Sequence, residues 1–118
     1  MSWRRNIKMH KYQIVILPMA EEDILRNTDY IAYDKKSPDT ALQLSRGFRK
    51  IIGSLSMNPD RHELDEDEQL AYYGIRKNYY KNYKIYYLIR EAEEVVYILG
   101  VFHMLVDSKA ILLRRFDS

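Results

Sequence analysis

The sequence predicts an α+β fold: an N-terminal strand, an αα-hairpin, then antiparallel strands forming one twisted sheet packed by the helix pair, with a short C-terminal helix. Three observations carry this. Leu70 to His103 is a tyrosine-rich run that divides into three strand-like pieces. Ahead of it, two segments place their apolar residues at helical spacing. A short apolar run ending at Pro18 precedes both. Helix stripes need a sheet to cover, and the strands supply one.

The central run is the most informative. Tyr83-Lys84-Ile85-Tyr86-Tyr87-Leu88-Ile89 and Val95 to Phe102 are dense in β-branched and aromatic residues, and the polar Arg90 to Glu94 between them marks a reversal. This predicts a β-hairpin. Side chains alternate along a strand, so Lys84 shares a face with Tyr86 and Leu88, and Ile85 shares the other with Tyr83, Tyr87 and Ile89. Both faces are largely apolar, which places the hairpin centrally with cover on each side. Leu70 to Arg76 reads as a shorter strand, joined to Tyr83 by the basic, aromatic segment Lys77 to Asn82.

Tyr12 to Leu17 reads as a strand stopped by Pro18. From Ala20, Ile24, Leu25, Thr28, Ile31 and Ala32 follow helical spacing, with Glu21, Glu22 and Asp23 in the first turn, where the helix dipole favours acids. Asp34 to Pro38 breaks that helix. Ser37 is a good N-cap with Pro38 at the first helical position, and Ala41, Leu44, Phe48, Ile51, Ile52 and Leu55 form one stripe that ends before Asn58-Pro59. Val106 to Phe116 predicts the C-terminal helix.

At 118 residues the chain suits one domain, residues 12–118, preceded by a basic arm at residues 1–11 that reads as a disordered or non-native leader. A start at Met9 is an alternative for that arm. With no cysteine, disulfides and thiolate zinc sites are excluded. No apolar run reaches the ~20 residues of a membrane span, and the composition predicts a soluble cytoplasmic protein. The net charge of +2 does not by itself demand nucleic acid, but its distribution is uneven. His62 to Gln69 is strongly acidic, with five carboxylates in eight residues, and Arg76 to Lys84 is basic. The acidic segment Asp60 to Gln69 reads as a solvated loop rather than a metal site, because consecutive acids on a loop point apart; no cofactor is expected.

The order of these pieces resembles the RelE/ParE superfamily of toxins from bacterial type II toxin–antitoxin systems. The resemblance runs through Tyr12 to Ile16 with Pro18, Ala20 and Asp23; Ala41 with Phe48, Ile51 and Leu55 ahead of Pro59; Gly74-Ile75-Arg76; Asn82 to Tyr87; and Val95 to His103 with Asp107. It implies a cognate antitoxin as partner in a toxin–antitoxin hetero-oligomer. The superfamily holds two activities: RelE-like members cut messenger RNA in the ribosomal A site, whereas ParE-like members poison DNA gyrase. The expectation is the first, a metal-independent, ribosome-dependent messenger-RNA endoribonuclease that inhibits translation, with the gyrase poison as the alternative. A degraded toxin that only binds antitoxin is a third alternative.

For the ribonuclease, a metal-independent mechanism needs cations to steady the phosphate and a group to move a proton. The resemblance points to Arg76 and Lys84 as the cations and His103 as acid or base. Lys84 stands where the nucleases usually carry arginine, and Leu105-Val106 where many relatives carry an arginine pair; lysine lacks the planar fork that grips phosphate through two hydrogen bonds. Lys77, Tyr79, Tyr80 and Lys81 interleave cations with rings, a pattern suited to stacking bases while neutralising phosphates. The competing reading makes Arg76 and Lys84 solvated or paired cations and His103 a satisfied residue at the sheet end. Tyr86 or Tyr87 is expected in the core, and at least one of Tyr79 and Tyr80 at the surface.

Overall fold

A computed structural model describes residues 11–117. The basic arm up to His10 and the alternative start at Met9 lie outside the described residues. The chain runs β1 (Gln13–Ile16), α1 (Pro18–Asp29), a π-helical turn (Tyr30–Asp34), α2 (Pro38–Ser54), a 3-10 turn (Pro59–Arg61), α3 (Glu68–Tyr72), β2 (Ile75–Tyr80), β3 (Tyr83–Arg90), β4 (Val95–His103) and α4 (Lys109–Asp117). The sheet order is β1-β4-β3-β2. β2, β3 and β4 are antiparallel, whereas β1 lies parallel to β4 with Ile14 opposite Val96, so the sheet is mixed.

The helix pair covers one face. Ile24 of α1 and Leu44, Phe48 and Ile52 of α2 pack with Leu55 against Ile85, Tyr87, Val96, Ile98 and Val101. The opposite face carries a second core of Leu70, Ile75, Tyr86, Leu88, Leu99, Phe102 and Leu112, the last from α4. The predicted alternation along β3 therefore holds: Ile85 and Tyr87 face the helix pair, Tyr86 and Leu88 face the other way, and both Tyr86 and Tyr87 are buried. The register slips between Tyr86, opposite Gly100, and Tyr87, opposite Ile98, leaving Leu99 as the extra residue of a β-bulge.

Several expectations are corrected. Leu70 to Tyr73 is not part of a strand. The Asp67 carboxylate accepts from the backbone N–H groups of Gln69 and Leu70 (3.0 and 3.1 Å), starting α3, and Gly74 ends that turn at φ +83°, a left-handed position that glycine fills without a Cβ penalty. The second strand instead comprises Ile75–Tyr80, so most of the presumed linker is strand and only Lys81-Asn82 turns the chain. Helix α1 begins at Pro18 rather than Ala20, which leaves Glu21 as its first-turn acid and carries Asp23 into the interior. Leu25, expected on the buried stripe, is half exposed. Ser37 does precede α2, but its hydroxyl bonds the Thr40 hydroxyl (2.8 Å) rather than a backbone N–H.

The buried Asp23 is the tie that sequence reading missed. It accepts from the Val101 backbone N–H (3.0 Å) on β4, from both terminal nitrogens of Arg115 on α4 (2.7 and 3.0 Å), and from Arg26 (3.2 Å). Arg115 also donates to the Leu99 carbonyl (2.9 Å) and lies over the Phe102 ring. Gly100 makes room for this: a Cβ there would sit 2.9 Å from the Arg115 guanidinium and 2.6 Å from the Phe102 ring. One carboxylate thus joins α1, the bulge of β4 and α4. Among the described residues no helix is long and apolar enough to cross a membrane.

Candidate functional site

Register decides which predicted site residues can act together. Residues directly opposite in adjacent strands project from the same face. Lys77 pairs with Tyr86 and Tyr79 with Lys84, so Lys77, Tyr79, Lys84 and Tyr86 share the face away from the helix pair. Arg76 pairs with Tyr87, and Tyr80 with Tyr83, on the helix side. His103 pairs with Tyr83 and so belongs to that second group, while the residue opposite Lys84 is Phe102. Lys84 and His103 therefore point from opposite faces. Arg76 and His103 lie on strands flanking β3 and opposite residues four apart on it, about 13 Å along the strand direction.

On the face away from the helices, the Lys84 ammonium donates to the Val106 carbonyl (2.8 Å) and lies 5.8 Å from the Tyr86 ring centre. Burial first, then the neighbouring Lys77, lowers its pKa, with Asp107, Asp65 and Glu66 opposing. Lys77 sits 2.9 Å from Glu66 and 3.4 Å from the buried Asp65. Burial works against its charge, but the hydrogen bonds with Glu66 and Tyr79 and the field of Asp65 outweigh it, and its pKa lies above the ordinary lysine value. The Tyr79 ring is about half exposed, with the Lys77 ammonium 5.5 Å from its centre. Beneath them the Tyr86 hydroxyl bonds the buried Ser108 hydroxyl (2.8 Å).

On the helix side the contacts are those of packing. The Arg76 guanidinium donates to the carbonyls of His62 (2.6 Å) and Asp60 (3.4 Å), near the start of β2 rather than the end of a strand. The Tyr80 ring meets Phe48 edge-on at 5.6 Å, and Lys81, in the turn, lies 5.7 Å from the Tyr80 ring centre. His103 is half-buried, edge-on to Tyr83 at 5.5 Å, and its Nδ1 accepts from the Leu105 N–H (3.2 Å).

The acidic segment is also more structured than a solvated loop. Leu64 bridges Arg76 at the β2 edge, Asp65 N–H donates to the Ile75 carbonyl (2.9 Å), and Asp67 pairs with Lys109 (2.9 Å). Sequence reading missed Asp65, Tyr86 and Ser108 as neighbours of the two lysines. Once β2 is read from Ile75, the two-residue period sets Lys77 and Tyr79 across from Tyr86 and Lys84. Among the described residues no group of three or more histidine or acidic side chains is placed to hold a metal ion.

Comparison with known proteins adds the family. The model described as the ParE toxin of the type II toxin–antitoxin system, parDE, matches residues 14–107. The chain belongs to the ParE toxin family, within the RelE/ParE superfamily. Similar solved structures include the RelBE2 toxin–antitoxin complex of Mycobacterium tuberculosis, at 25% identity and TM-score 0.56, covering 81% of this chain and 94% of that one. The chromosomal ParDE system of P. aeruginosa matches at 14% identity and TM-score 0.64, covering 80% of this chain and 97% of that one. A double arginine-to-alanine mutant of the E. coli toxin RelE in the free state matches at 12% identity and TM-score 0.54, covering 89% and 93%. These last two likenesses are of fold alone. No curated protein matches the chain.

Proposed function

We propose that this ParE-family chain is the toxin of a type II toxin–antitoxin pair, held inactive by a cognate antitoxin, and that its target is DNA gyrase rather than messenger RNA. The observation that carries the choice is the division of Arg76, Lys84 and His103 between two faces of the sheet. Cleavage of RNA through the ribose 2′-oxygen needs its proton acceptor and its phosphate-steadying cation within hydrogen-bond reach of one reacting phosphate. Here the cation and the imidazole project away from each other. The contacts of each residue support the same reading: Arg76 and Lys84 are spent on backbone carbonyls and Lys77 on carboxylates.

One observation favours the ribonuclease as a second reading. Lys77, Lys84 and the exposed ring of Tyr79 lie together on one face, where two cations and a stacking ring can meet one RNA strand. In that reading Lys84 acts with Lys77 and Tyr79, and Arg76 and His103 hold the sheet ends.

Induced expression separates the two. Gyrase poisoning predicts broken DNA, a DNA-damage response and filamentation while transcripts stay intact. Rapid loss of protein synthesis with transcripts cut on the ribosome would overturn the proposal in favour of the second reading. Co-purification with the product of a neighbouring small acidic gene tests the antitoxin part; a stable toxin that ignores that product contradicts it.

A further inference from the structure

The face that carries Lys77, Tyr79 and Lys84 is built like a polyanion site and is covered by the chain's own acids. Segment 62–67 runs along the outer edge of β2 as a strap, held by Arg76 at His62, by the Leu64 bridge, by Asp65 N–H at Ile75 and by Asp67 at Lys109. Its carboxylates reach over the edge onto the lysines.

The two acids of that contact are not equivalent. Asp65 has a side chain only 4% exposed, accepts from the Asp67 N–H (2.8 Å) and sits 3.4 Å from Lys77, so it is the buried counter-charge that a nearly buried lysine requires. Glu66 is 82% exposed, forms no other side-chain contact among those the structure describes, and still closes on the same ammonium at 2.9 Å. Lys77 needs one partner and has two. The field of Glu66, with those of Asp65 and Asp107, also reaches Lys84. Two lysines therefore face three carboxylates, and a face of that composition repels phosphate despite its lysines and exposed tyrosine.

We propose that Glu66 is an autoinhibitory carboxylate, which occupies the place of a phosphate at Lys77 and keeps single-stranded nucleic acid off the Lys77–Tyr79–Lys84 face. The inference does not depend on gyrase being the target. It concerns a latent affinity for a polyanion, which a partner that draws the strap aside would release. Glu66 is exposed and Lys77 keeps Asp65 as its buried partner, so removing the Glu66 charge leaves the fold in place.

The test is binding of a short fluorescein-labelled oligouridine to the full chain, followed by anisotropy at low and at high salt with neither ribosome nor gyrase present. Glu66→Gln should bind about three- to tenfold more tightly than the parent at low salt, because one repelling charge close to the phosphate is gone. Glu66→Lys should bind more tightly again. The gain should vanish at high salt and when Lys77→Gln is added to Glu66→Gln. Unchanged or weaker binding by Glu66→Gln, or a gain that survives Lys77→Gln, overturns the proposal. Thermal melts matching the parent confirm that each variant is folded. Because no target is present, this result stands or falls separately from the gyrase reading.

Discussion

Cutting the tie at Asp23 should cost a large share of the protein's stability. The carboxylate is fully buried, Arg115 is 14% exposed at its side chain, and four hydrogen bonds converge on the acid from Val101, Arg26 and the two nitrogens of Arg115. Asp23→Ala takes the buried carboxylate away from a nearly buried guanidinium and removes the acceptor of the Val101 N–H. Removing one member of a buried pair costs about 3–5 kcal/mol, set against a total of roughly 5–15 kcal/mol for a domain of ordinary stability. Arg115→Met should fall at the lower end of that range, since Val101 and Arg26 still serve the carboxylate. Combining Arg115→Met with Asp23→Ala removes both charges, so the double variant should recover about 1–3 kcal/mol relative to the sum of the single changes. Urea unfolding of the four proteins, with unchanged m-values, measures that coupling. Strictly additive losses, or an Asp23→Ala loss within error of zero, would mean that the ion pair does not hold α4 to the sheet.

Phe48→Ala should destabilise the fold by about 3–5 kcal/mol, because Phe48 is fully buried and meets Tyr80 and Tyr83 edge-on; a thermal melt equal to the parent's would mean that the α2 stripe does not bear on the sheet. His62 should make stability depend on pH. Burial first, then Arg61 and Arg76, holds its folded-state pKa below the ordinary value, and its Nε2 is buried without a hydrogen-bond partner among the described residues. A depressed histidine pKa means that the unfolded chain binds more protons, so this contribution is complete above pH ~6.5 and is lost as pH falls from there through the folded value. The urea midpoint should decline over that window, and more steeply than in His62→Gln; identical pH profiles would exclude His62 as the cause.

What could be read from the sequence was what periodicity encodes. The α2 stripe, the alternation along β3 and the double-sided burial of the central hairpin follow from spacing alone, since only one register hides Ile85 and Tyr87 under Phe48 while turning Tyr86 away. The limits of β2 did not follow. Leu70-Ala71-Tyr72-Tyr73 has strand-like residues, and what turns it helical is the cap at Asp67 and the stop at Gly74, a local signal outweighed by tyrosine content. That error moved Lys77 and Tyr79 into a linker and hid their partnership with Lys84. The role of Asp23 was beyond sequence reading altogether, because a first-turn acid and a buried counter-ion look alike until α4 is seen to bring Arg115 back across 92 residues. Arg76, Lys84 and His103 illustrate a different limit: the resemblance groups them in one site, but only strand register reveals that Arg76 and His103 are far apart and that neither shares a face with Lys84.

The central claim is that toxicity acts through gyrase and does not use Lys84 and His103 as catalytic groups. The direct measurement is gyrase supercoiling of plasmid DNA in the presence of purified toxin, comparing the parent with the folded Lys84→Ala/His103→Ala double variant, alongside a ribosome-programmed messenger RNA with the same two proteins. The account predicts that both proteins inhibit gyrase equally and that the messenger RNA stays whole. Cleaved messenger RNA with the parent, falling by about 10²-fold or more with the double variant, and untouched gyrase, would contradict it.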